Sequence, residues 1–120
     1  MNDNKLVELS LDFAVKIIEL TQYLKNKKES LISNQIGRSG TSIGANISEA
    51  QYAQSRVDFI SKLEIALKES NETSYWLKLL HKTNQIENEY YKTLDSLNTN
   101  IRVLLISSCK TAKSNKTKKE

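Results

Sequence analysis

The chain contains no proline, and its three glycines fall together as Gly37, Gly40 and Gly44. Proline and glycine are the residues that most often break helices and turn a chain between short strands. A chain of 120 residues almost without them, rich in Leu, Ile, Lys, Glu, Asn and Ser, is drawn toward a few long helices. Its length suits one domain with one core and is too short for two independent ones.

The apolar spacing agrees. Leu6, Leu9, Phe13, Ile17, Leu20 and Leu24 recur every three or four residues, one face of a helix over 4–26. Ile32, Ile36, Ile43, Ile47 and Ala50 mark a second helix over 30–54, with Ser33, Gly37, Gly40 and Gly44 on the adjoining face. Ser55-Arg56-Val57-Asp58 is a capping-box pattern opening a third helix over 56–82, with Phe59, Ile60, Leu63, Ala66, Leu67 and Leu77 inward. Asp58 with Lys62 and Glu64 with Lys68 stand at favourable i,i+4 spacing along it. Asn84-Gln85-Ile86-Glu87 reads as the start of a fourth helix over 86–110, carrying Ile86, Tyr90, Leu94, Leu97, Ile101, Leu104 and Leu105 on one face. The expected fold is all-α: an antiparallel up-down-up-down four-helix bundle over residues 1–111, followed by a disordered Lys-rich tail over 112–120.

Two features go beyond a plain bundle. A second stripe on the first helix, Val7, Leu11, Ala14 and Ile18, lies roughly 130° around from the first and exceeds the single apolar arc a monomeric bundle needs. It is expected to be a subunit interface. On the third helix Ser70 and Ser74 replace large residues on the inward face, either admitting a bulky neighbour or bonding back to their own helix carbonyls.

Gly40-Thr41-Ser42-Ile43-Gly44 spells G-x-S-x-G, the pattern of a hydrolase nucleophile elbow. That elbow needs a strand before the serine, whereas SLISNQIGRS has helical period. His81 is the single histidine and so the single possible base for a triad, with Asp58 or Asp95 as its orienter. Order along the chain is not geometry, and no sheet is expected to build the elbow. A phosphate loop fails because Ala45 stands where a lysine is required, and no Glu-x-x-His pair is present for a di-iron site. The glycines are instead expected to form a smooth strip for close helix contact. His81 is expected to be a half-buried histidine or a charge partner for its helix C-terminus. No catalytic residue, metal site or cofactor is expected.

The net charge is +4, and Lys110, Lys113, Lys116, Lys118 and Lys119 against Glu120 account for all of it, leaving residues 1–109 neutral. These lysines, with Lys25, Lys27 and Lys28, are the candidate contacts to RNA or DNA through salt-sensitive attraction to phosphates. Arg38, Glu49, Glu69 and Glu72 are the charged groups expected to have specific partners, Arg38 with a carboxylate of another helix or subunit. One cysteine, Cys109, excludes an internal disulfide and reads as a buried thiol. No apolar run approaches a membrane span or signal segment, so a cytoplasmic protein with no membrane partner is expected.

The stretch RSGTSIGANISEAQYAQSRVDFISKLEIALKESNETSYWLKLL, from Arg38 to Leu80, resembles the signature of the bacterial four-helix-bundle family of 23S rRNA intervening-sequence proteins. Its pattern is SGTSIGAN, then EA, DF, IALKE and E-T-x-Y-W-L. The resemblance implies a left-turning bundle assembling into a ring, typically a homopentamer. It also implies kinship with accessory proteins of diversity-generating retroelements, basic barrels that bind nucleic acid and a reverse transcriptase. Gly37 and the basic tail depart from that pattern, and the neutral body departs from a basic barrel. Two functions follow as expectations: a non-enzymatic oligomeric scaffold that binds nucleic acid, or a module that binds a partner protein without nucleic acid.

Overall fold

The structure, a computed structural model, describes residues 4–119, and the side chains of 5–114. It has four helices: α1 (Asn4–Asn26), α2 (Leu31–Ala50), α3 (Arg56–Lys82) and α4 (Asn88–Lys119). Each helix packs against two others, in the cycle α1, α2, α3, α4 and back to α1. The core follows the predicted stripes with Leu80 added, while Leu9, Phe59, Ile60, Leu67, Tyr90, Leu97 and Leu104 of those stripes are half-buried at its edge. Phe13, Ile17, Leu20 and Leu24 meet Ile36, Ile43 and Ile47, then Leu63, Leu77 and Leu80, then Leu94, Ile101 and Leu105, all fully buried.

The glycine strip faces α1. A Cβ added at Gly40 would lie 2.8 Å from Ile17 Cγ1 and 2.9 Å from its Cγ2. One at Gly44 would lie 3.2 Å from the Ser10 carbonyl oxygen, and one at Gly37 3.1 Å from Thr21 Cγ2. Thr21, Ile17 and Ser10 therefore meet Gly37, Gly40 and Gly44 in opposite order along the two helices. The strip brings one backbone against another inside the subunit, which is the reason glycine is tolerated in a helix here.

Helix ends differ from the predicted boundaries for local reasons. α2 stops at Ala50, short of residue 54, because the chain turns through Gln51 and Tyr52 to reach the Ser55 cap, whose Oγ accepts from Asp58 N at 3.0 Å. The Asp58 carboxylate reaches back to Gln54 N rather than to Ser55. At the start of α2 the cap is Glu29, whose Oε1 accepts from Ile32 N and Ser33 N, both at 3.0 Å. Asn84 closes α3 instead of opening α4. It takes positive φ, with Asn84 N donating to His81 O and Gln85 N to Leu80 O, a Schellman termination, and α4 begins at Asn88. Lys28 ends α1 the same way, at φ 65°, with Lys28 N to Lys25 O and Glu29 N to Leu24 O.

α4 also continues beyond the predicted boundary at 110, as helix to Lys119, where a disordered tail over 112–120 is expected. The core stripe carries on: Cys109 and Ala112 are buried, and Lys113 Nζ reaches Glu64 Oε2 of α3 at 2.9 Å. The side chains of Lys116, Lys118 and Lys119 lie outside the described residues.

The backbone at three positions sets expected changes in stability. Lys28→Gly should raise stability by about 1 kcal/mol in chemical denaturation, because a left-handed conformation penalises any side chain with a Cβ. Gly40→Ala should lower it by about 1 kcal/mol despite alanine's better helix propensity, because the new methyl meets the branched Ile17. Gly37→Ala, against the half-buried Thr21, should be near neutral or stabilising in the same measurement.

Candidate functional site

Of the predicted α1 stripe, Val7 and Ala14 are half-buried, while Leu11 and Ile18 are 63% and 47% exposed. Val15, which the spacing did not single out, is 52% exposed. It lies four residues after Leu11 and three before Ile18, so Leu11, Val15 and Ile18 form a row of large apolar groups facing solvent. Beside that row runs a groove of about 240 Å³ between α1 and α2, lined by Val7, Leu11 and Ala14 opposite Gly44, Ala45 and Ser48. Gly37, Gly40 and Gly44 shape the α1 to α2 contact itself, and Gly44 also reaches this groove.

The charged groups singled out in the sequence pair across helices. Arg38 of α2 bonds Glu72 and Glu69 of α3, the latter at 3.2 Å. Glu72 Oε2 also accepts from Trp76 Nε1 at 3.0 Å, and Trp76 stands edge-on to Tyr75 with ring centroids 5.0 Å apart. The Trp76 and Arg38 donors hold the Glu72 carboxyl below its ordinary pKa, and Glu72 in turn raises that of Arg38. Glu49 pairs with Lys62 of α3 at 3.0 Å. Lys62 and Glu64 thus take partners on α2 and α4 in place of the i,i+4 partners that the spacing offers.

A buried polar seam crosses the middle of the core. Ser70 Oγ donates to Asn98 Oδ1 at 2.7 Å, and Asn98 Nδ2 returns a bond to Ser70 O at 3.0 Å. The Thr73 hydroxyl meets Ser39 Oγ at 2.9 Å. The neighbour admitted by Ser70 is therefore a polar side chain from α4, neither a bulky apolar group nor a carbonyl of its own helix. Asn98 breaks the spacing Leu94, Ile101, Leu105 with a single amide, which is the signal in the sequence that could have found it.

Ser42 lies inside α2, and its hydroxyl donates to Arg38 O at 2.6 Å. Ser39 meets Thr73, so Ser42 stands level with the region of Glu69, and His81 is about 18 Å further along at 1.5 Å per residue. His81 sits half-buried in the last turn of α3, stacked on Tyr91 at 4.2 Å. Burial raises the hydroxyl pKa of both Tyr91 and Tyr90.

The two lysine clusters are not brought together. Lys27 Nζ donates to Gln85 O at 2.9 Å and lies 5.2 Å from the Tyr23 ring centre, so Lys25, Lys27 and Lys28 sit where α3 turns into α4. Lys110 and Lys113 sit near the start of α3, about 35 Å away along α4 from Asn88 at 1.5 Å per residue. Lys27 and Lys113 both have structural partners, and Lys110 is exposed.

Among the described residues no group of three metal-ligating side chains lies together, and no helix is long and apolar enough to cross a membrane. Four helices around one core, a glycine strip joining α1 to α2 and an Arg-Glu-Trp cluster joining α2 to α3 define a small all-α four-helix protein. The family model for 23S rRNA-intervening sequence proteins matches residues 2–107, and the chain belongs to that family. It is similar to a crystal structure from Bacteroides thetaiotaomicron VPI-5482 of a protein with unknown function from the S23 ribosomal protein family. The two are 56% identical, with 88% of this chain and 98% of that chain covered and a TM-score of 0.87. No curated protein matches the chain.

Two predictions test the polar groups. Asn98→Ala should cost about 2 to 3 kcal/mol in urea denaturation, because it removes two bonds and leaves Ser70 Oγ buried without its partner. The lowered Glu72 pKa means that its contribution is present above the unfolded carboxylate value of about 4.3 and is lost as pH falls through the folded value. Glu72→Gln should therefore lower stability at pH 7 by about 0.5 kcal/mol, small because Arg38 is half exposed, and flatten the loss between pH 5 and 3.

Proposed function

We propose that this chain is a non-enzymatic helical scaffold that assembles with copies of itself and holds nucleic acid. Its helices run up-down-up-down, and its copies close into a ring, a homopentamer, in the cytoplasm. The carrying observation is the row Leu11, Val15, Ile18, left in solvent by a bundle whose core is already filled by the other face of α1. Soluble subunits rarely leave such a row uncovered. The opposed order of contacts between α1 and α2 supports the up-and-down course. Ser42, bonded within its own helix and distant from His81, supports a role without catalysis.

Nucleic acid is held through phosphates by the basic end of α4, with Lys110 and the lysines that follow, and secondarily by Lys25 and Lys28 at the opposite end. A second reading is favoured by the neutral charge of residues 1–109 and by the partners of Lys27, Lys62 and Lys113. In it, the assembly presents its surface to a partner protein without nucleic acid.

Light scattering should give several times the 13.7 kDa of one chain, and a monomer at micromolar concentration would end the assembly reading. Gel shifts with structured RNA at low salt should show binding that weakens with added salt. Replacing Lys110, Lys116, Lys118 and Lys119 together by Gln should reduce that binding several-fold. Unchanged binding would remove the α4 end from the role, and no binding by the unaltered chain would favour the partner-protein reading.

A further inference from the structure

The corner where α1 ends and α3 turns into α4 holds a cavity of about 410 Å³, within the roughly 300–1,000 Å³ of small-ligand sites. Its walls are tied together by Lys27 Nζ to Gln85 O, Gln85 N to Leu80 O and Asn84 N to His81 O. Ile86, which also lines it, is buried and anchors the turn to the core. A site held this way is preorganised, and little ordering is left for a ligand to impose.

Unused polar groups converge on this cavity. Tyr91 covers one face of the His81 imidazole, with the rings parallel to within 2°, and the imidazole borders the cavity. Among the described residues neither His81 nitrogen has a hydrogen-bond partner, nor do the side chains of Asn84, Gln85, Glu87 and Asn88 on the same walls. Lys27 spends one donor on Gln85 O, and an ammonium has three. Lys28 and Lys82 each adjoin a lining residue in the chain, while nearby Glu29 is turned onto the N–H groups of Ile32 and Ser33.

This combination separates ligand classes. A bare phosphate would use the lysines but neither the ring nor the amides, and the Glu87 carboxylate would oppose it. An apolar ligand would leave the amides and the carboxylate unpaired. A ribonucleotide uses all of them. Its base extends the Tyr91 and His81 stack and offers its edge to amides that both donate and accept. Its ribose hydroxyls suit Glu87, the role a carboxylate takes in dinucleotide sites, and its phosphate suits the lysines. We infer that this corner binds a ribonucleotide, with the base on His81, the ribose on Glu87 and the phosphate on Lys27 and the lysines beside it. The ribonucleotide is either free or an unstacked residue of single-stranded RNA, and only the second source rests on the nucleic-acid reading above.

His81 is the single histidine, so its ring protons report the site by NMR. Each of the four ribonucleoside monophosphates is titrated into the full chain at constant pH, and at least one should move those protons saturably. Inorganic phosphate should not reproduce the shift. Calorimetry should show that nucleotide bound more tightly than its 2′-deoxy counterpart, with Glu87→Ala erasing the difference. His81→Ala should weaken binding at least about fivefold, the lower end of what a base-stacking ring contributes. His81→Phe should retain binding, because the ring carries the stack. Melting checks the fold of each variant, and Glu87→Ala, at an exposed position, decides alone if His81→Ala melts early. A short single-stranded RNA of mixed sequence separates the sources: a response to monophosphates supports a free nucleotide, and a response to the RNA alone supports an RNA residue. No response to either, the same shift with inorganic phosphate, equal affinity for the deoxy form or unchanged binding by His81→Ala would overturn the site. RNA held at the Lys110 end is read by its own gel shift and stands or falls separately.

Discussion

The close approach of α1 to α2 at Gly40 and Gly44 is the constraint on which the rest of the structure depends. Each glycine in a helix costs roughly 0.8 to 1 kcal/mol relative to alanine, and the return is contact: Ile17 fills the space a Cβ would take, and Gly44 lies on the Ser10 backbone. With that face committed to α1, the adjoining face of α2 is left to α3. Ser39 meets Thr73 there, and Arg38 bonds Glu72 and Glu69. A row of missing methyl groups thus sets the rotation of α2, and its rotation decides which polar groups can meet α3.

Across the bundle, order comes from polar groups rather than from the absence of side chains. The leucines and isoleucines of α3 and α4 would pack almost as well after a small slide, because apolar contact is not directional. The paired bonds of Ser70 and Asn98 are directional, and leaving either group buried without its partner costs more than one bond contributes. Similar seams in coiled coils select one register at some cost in stability. Here the Ser70 and Asn98 pair joins α3 and α4, two helices that carry no glycine.

The apolar stripes were legible in the sequence because burial imposes a period, and Phe13, Ile17, Ile36, Ile43, Leu77 and Leu94 are where the spacing put them. The glycine strip was legible for the same reason, as was the surplus apolar surface of α1. What the spacing missed depends on three-dimensional neighbours. Asn84 has the composition of a helix start, but its position after Lys82 makes it the left-handed residue that ends α3. Lys62 and Glu64 sit at good i,i+4 spacing yet find partners on α2 and α4, since a side chain on a packed helix reaches sideways as easily as along. Helix α4 runs past the expected end at 110 because the small, buried Ala112 is masked in the sequence by the lysines around it.

Asn98 has a consequence for errors in folding. If α4 slid by one turn against α3, the residue opposite Ser70 would become Leu94 or Arg102, and either would strand a hydroxyl or force a guanidinium into the core. A slipped bundle is therefore rejected inside the single chain, before any of its outer surface is used. One amide in the interior thus fixes the height of α4 against α3, and with it the heights at which Val103 and Ile106 stand on the exterior, from a position closed to solvent.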